Sequence, residues 1–100
     1  MRPDLLKAFD ALASHCDVSA ALCDAAAQGM MDAPLDVHSI CSRIGLPQAR
    51  AADLERALNE GQATGLFAQA TPLRWHALDR ERAKQLAPML DGARLYRNRV

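Results

Sequence analysis

The 100-residue sequence predicts a mainly α-helical domain carrying one small β-hairpin. Three observations point there. Alanine and leucine dominate a composition that is half hydrophobic, and both favour helices. Apolar residues recur at three- and four-residue spacing in several separate segments, as one buried helix face requires. Two short runs, residues 66–70 and 73–77, break that period and flank the turn signal Thr71-Pro72.

The length fits one domain with a modest core. No apolar run reaches the roughly 18–20 residues of a transmembrane helix, and the N-terminus lacks a basic-then-apolar signal pattern. Cys16, Cys23 and Cys41 are an odd set, best accounted for as reduced thiols in a cytoplasmic protein. The net charge is zero but uneven: residues 1–36 hold two basic and six acidic side chains, residues 37–100 ten basic and six acidic. The second part therefore carries a surplus of four positive charges, which marks either a basic binding face or a solvated surface.

Each element follows from local signals. Pro3 and Asp4 suit a helix start, and Leu5, Leu6, Phe9, Leu12 and Ala13 form an apolar stripe behind them. An interruption is expected over residues 14–17, with Asp17 or Ser19 capping a second helix that runs to Gln28, although one helix from 4 to 28 also satisfies the period. Val18, Ala21, Leu22, Ala25 and Ala26 line that helix, and Gly29 stops it. After a connector at 30–34, Leu35 adds a strand of one or two residues. Asp36 then caps a short helix with Val37, Ile40, Cys41 and Ile44 inward. Gly45 ends it, Leu46 plugs the corner, and Pro47 opens a helix that ends near Gly61 or Thr64, with Ala51, Leu54, Ala57 and Leu58 on its buried side. Residues 66–77 make the hairpin, with Trp75 packed inward. Asp79 caps a last helix lined by Ala83, Leu86, Ala87 and Leu90, which Pro88 should break or kink. The order divides the single domain into N-terminal helices (1–30), a central unit (35–78) and one or more C-terminal helices (79–100) that can lead into a further domain.

The central unit resembles a known family. ICSRIGLPQARAADLERAL, residues 40–58, is similar to the helix-turn-helix core of bacterial winged-helix regulators. Cys41 stands at the family's small position, Gly45 at its turn glycine, Leu46 at its corner and Pro47 where a capping Ser or Asp is usual. Gly65-Leu66-Phe67 resembles the tripeptide that opens the family's wing. Two departures stand out: Pro47 supplies no capping side chain, and about three residues within 61–64 look inserted before the wing.

The resemblance implies sequence-specific binding of double-stranded DNA, in transcriptional regulation or as the DNA-targeting front domain of a larger protein. Residues 47–61 would be the recognition helix. Gln48 would pair with adenine and Arg50 with guanine, Arg43 and Arg56 would hold phosphates, and Arg74 or His76 in the wing would reach the backbone or minor groove. Against this, Asp53, Glu55 and Glu60 outweigh Arg50 and Arg56, so the helix is net acidic, a poor instrument for phosphate. Any affinity would then rest on Arg43, the wing and the basic residues of 80–99. The alternative that the resemblance allows is a protein-interaction or dimerisation module, a homodimer through the terminal helices or a connector to an attached domain, for which the alanine-rich residues 18–27 suit close helix packing.

An enzyme is not expected. No phosphate-binding loop, nucleophile elbow or paired carboxylates are present, so neither catalytic residues nor a cofactor are implied. His38 and Cys41 have a chelating spacing, but Cys41 falls on the inward stripe and no Cys-x-x-Cys exists, so no metal ligand is assigned.

Overall fold

The computed structural model describes residues 3–98, and side-chain surroundings through Leu95. Its helices are α1 (Pro3–Leu12), α2 (Cys16–Ala27), α3 (Val37–Ile44), α4 (Ala51–Ala63) and α5 (Arg80–Asn98), with single 3-10 turns at Ala13–His15 and Gln48–Arg50. Three strands, β1 (Leu35–Asp36), β2 (Phe67–Thr71) and β3 (Arg74–Ala77), form an antiparallel sheet in the order β1-β3-β2. The expected hairpin is therefore the larger part of a three-stranded sheet, because Leu35 and Asp36 pair with Trp75 and Arg74.

One core joins all the helices and the sheet. Leu5, Ala8 and Leu12 of α1, Leu22 and Cys23 of α2, Ile40 and Cys41 of α3, Leu54 and Leu58 of α4, Phe67 and Trp75 of the hairpin, and Leu86 and Leu90 of α5 are all buried in it. Leu6, placed in the α1 stripe by spacing, is instead exposed; the buried stripe runs through Leu5, Ala8 and Leu12. The main partner of α2 is α5. Ala20, Ala25 and Ala26 are buried and Ala21 and Ala27 half-buried, so the alanine stripe brings these two helices together within the chain.

Several local expectations hold to the atom. Asp36 has extended backbone and accepts a bond from the Ser39 amide at 3.3 Å, capping α3. Gly45 adopts φ +71°, and the Leu46 amide returns to the Cys41 carbonyl at 2.9 Å. Asp79 Oδ1 accepts from the Arg82 amide at 3.0 Å at the start of α5.

Other boundaries move. Neither Asp17 nor Ser19 caps α2, which starts at Cys16 without a side-chain cap because the 3-10 turn feeds straight into it. Asp17 turns outward, and the Ser19 hydroxyl is buried without a hydrogen-bond partner among the described residues. Pro47 stands outside the following helix with φ −57° and ψ 141°; the 3-10 turn Gln48–Arg50 intervenes, so α4 starts at Ala51 rather than Pro47, and it ends at Ala63 with Thr64 as its cap, as expected. Residues 61–63 are no loop insertion: they form the last turn of α4. Gly61 is buried there against the Phe67 ring, and a Cβ on it would meet Phe67 Cδ2 at 2.3 Å. Pro88 does not break α5. It and Lys84, whose carbonyl loses its helical donor, both lie on the exposed side, where water can replace the missing bond.

The connector is more ordered than its composition suggests. Met31 is buried, and its carbonyl accepts from the Ala77 amide at 2.9 Å, continuing the edge of β3 beyond β1. Ala70 is a bulge residue, for Gln69 pairs with Trp75 and Thr71 with the adjacent Arg74. No helix among the described residues is long and apolar enough to cross a membrane.

Candidate functional site

Two concavities flank the α3–α4 unit. The first, about 710 Å³, lies between α2, the Gly45–Pro47 turn and α5. Ala20, Ala21, Leu46, Pro47 and Ala87 give it an apolar floor, and Asp17, Asp24, Arg50, Lys84, Asp91 and Arg94 a charged rim. The second, about 350 Å³, lies between the start of α3, α4 and the hairpin. Val37, Pro72, Leu73 and Trp75 supply its apolar surface, and Asp36, His38, Glu55, Asn59 and Gln69 its polar groups.

The six residues singled out in the sequence do not converge on either. Arg50 faces the first groove, where its Nη1 meets Asp17 Oδ2 at 2.8 Å and its Nε meets Asp53 Oδ2 at 3.2 Å. The bond from Arg50 holds the Asp17 carboxyl below its ordinary range, and the two carboxylates hold the Arg50 guanidinium above its own. Gln48 is bound to α3: its Oε1 accepts from His38 Nδ1 at 2.7 Å, and its Nε2 donates to the His38 carbonyl at 3.1 Å and to Ser42 Oγ at 3.4 Å. Both ends of the amide are thus engaged in tying the turn to α3.

Arg56 is two-thirds exposed and only 3.8 Å from Asp53 Oδ1. Arg43 is exposed on α3, and among the described residues it has no ion-pair partner. Arg74 and His76 alternate with the inward Trp75 along β3, so both leave the sheet on the face away from the core. Neither lines the groove that Arg50 faces.

The basic surplus of the C-terminal region is largely matched inside the fold. Arg80 donates to the Ala27 carbonyl at 3.1 Å and pairs with Asp32 at 3.4 Å. Arg82 binds Asp79 at 3.0 Å and the Thr64 carbonyl at 2.9 Å, with Asp4 at 4.0 Å. Arg94 binds Asp91 at 2.6 Å. The side chains of Arg97 and Arg99 lie outside the described residues. Sequence reading missed these clamps; Asp79–Arg82 and Asp91–Arg94, both at three-residue spacing, were the pairs it had the means to find.

The thiols are core groups. Cys16, Cys23 and Cys41 are buried, and burial pushes the Cys23 thiol up to about 12 and raises that of Cys41. Neither Cys23 nor Cys41 is ready to ionise as a nucleophile or ligand in place. Cys41 points inward while His38 points out to Gln48, so their helical spacing brings them to different surroundings. Among the described residues no three His, Cys, Asp or Glu side chains are gathered as metal ligands would be. Compared with known proteins, the chain matches no family model, no curated protein and no solved structure.

Proposed function

We propose that the chain is a winged-helix module that binds another protein rather than duplex DNA. The element order β1-α3-α4-β2-β3, with a left-handed glycine at the α3 end, supports the winged-helix part of this reading. One observation carries the functional part: Gln48 and Arg50, the two side chains with the chemistry to read bases, are both held in intramolecular bonds. Freeing them would sacrifice the ties of the turn to α3 and of α4 to α2. The alanine stripe is spent on α5, so it lends no support to a homodimer through that helix.

Duplex DNA binding, with a role in transcription regulation, is the second reading, favoured by the exposure of Arg43 and Arg74, the former with no ion-pair partner among the described residues. Titration of a fluorescent duplex at about 50 and 200 mM salt separates the two. The protein-binding reading expects no association tighter than non-specific levels of roughly 100 µM at the lower salt. Tighter, steeply salt-dependent binding that Arg43→Ala weakens would establish DNA as the partner instead.

A further inference from the structure

We infer that the cleft between α4 and the hairpin is a docking site for an extended segment of a partner protein that presents an apolar side chain beside a lysine or arginine. The inference deepens the protein-binding reading and rests on it. The apolar half comes from Leu73, which is 77% exposed at the hairpin tip and adjoins Pro72 in the cleft lining. Val37 and the edge of Trp75 continue that surface into the cleft.

The charged half comes from Glu55 on α4 and Asp36 at the α3 cap. No lysine or arginine lines the cleft. Glu55 is exposed and has no ion-pair partner among the described residues. Asp36 stays ionised, since its carboxylate accepts the Ser39 amide. Arg74 stands directly across from Asp36 in the sheet register, so the two side chains leave the same face of the sheet and Arg74 offsets the Asp36 charge. The cleft therefore offers the uncompensated charge of Glu55, with that of Asp36 offset by Arg74, beside an apolar patch. Such a surface repels phosphate and attracts a cation flanked by hydrocarbon. Asn59 and Gln69 add amides suited to the main chain of an extended peptide.

The test uses the whole chain and two labelled probes, acetylated and amidated Ala-Arg-Leu-Ala-Arg-Leu-Ala and its counterpart with glutamate in place of arginine. Amide and indole shifts are followed by NMR. The expected result is saturable shifts at Glu55, Asn59, Leu73 and the Trp75 indole with the basic peptide and none with the acidic one. Glu55→Lys should weaken binding at least ~10-fold, because it reverses a charge at the rim. Glu55→Gln should weaken it less, and Lys84→Glu, in the other groove, should leave it unchanged. No shift at the cleft up to about 1 mM peptide, or shifts indifferent to Glu55→Lys, would overturn the docking site. Duplex DNA is titrated in parallel. Duplex binding that Arg43→Ala weakens would overturn the protein-binding reading as well, whereas silence from both probes removes only the cleft.

Discussion

At the scale of single residues, the fold concentrates its constraints in a few side chains. Ser19 buries a hydroxyl with no partner among the described residues, inside an otherwise apolar α2 face. An unsatisfied buried polar group costs about 1–3 kcal/mol, while alanine at that position loses almost no volume. Ser19→Ala should therefore raise the denaturation midpoint, by roughly 1 kcal/mol in chemical unfolding. The Asp17–Arg50 pair makes a different prediction. Binding to Arg50 depresses the Asp17 pKa, so its stabilisation is complete above the unfolded carboxyl value and is lost as pH falls through the lower folded value. Both side chains are more than two-fifths exposed, so solvent keeps the effect small. Titration of Asp17 by NMR should give a pKa below about 3.9, and Arg50→Ala should return it upward.

At the scale of elements, two glycines show how α3, α4 and β2 are joined, and they respond to alanine for opposite reasons. Gly45 has open space where a Cβ would go, but its φ of +71° strains any other residue. Gly45→Ala should cost about 1–2 kcal/mol. Gly61 has ordinary helical geometry, where alanine would gain in propensity; its cost comes from a Cβ 2.3 Å from the Phe67 ring. Gly61→Ala should destabilise by roughly 1–3 kcal/mol despite that gain, and Phe67→Leu should relieve part of the loss in the double variant. Their legibility differs in the same way. Gly45, Asp36 and Asp79 were readable because capping depends on neighbours in sequence. Gly61 was taken for a helix end because its reason, the Phe67 ring, arrives through tertiary packing. The same division governs the site: Arg50 and Gln48 were read as base-contacting side chains, while their partners Asp17 and His38 are 33 and 10 positions away. No local pattern announces such pairings. Pro88 does not break α5, because its side of the helix faces water, which spacing alone does not tell.

The whole molecule behaves as one cooperative body if its single core means what it implies. Every helix and the hairpin contribute to the same buried cluster. Trp75, the only tryptophan, reports the hairpin, and far-ultraviolet dichroism reports the helices. Their urea transitions should coincide, as two-state unfolding requires. A hairpin transition at clearly lower urea would mean that the sheet is an independent, weaker unit. The uneven charge of the sequence also takes on a different meaning at this scale. The acidic first third and the basic remainder neutralise each other across the fold through Asp17–Arg50 and Asp32–Arg80, with Asp4 near Arg82. What looked like a field for an external polyanion is in good part an internal seam.

The pairing of α2 with α5 has a consequence for how the protein is made. On a ribosome adding roughly 5–20 residues per second, the interval between completing α2 and reaching Leu90 is on the order of 3–13 s. Throughout that interval the face of Leu22, Cys23 and Ala26 has no mate, since its chief partner has not been synthesised. The nascent chain stays uncommitted until α5 emerges, and a message truncated before α5 would release a chain with that sticky face uncovered. Stalled or prematurely ended copies should be conspicuous to chaperones and proteases, whereas the completed chain withdraws the signal when α5 docks.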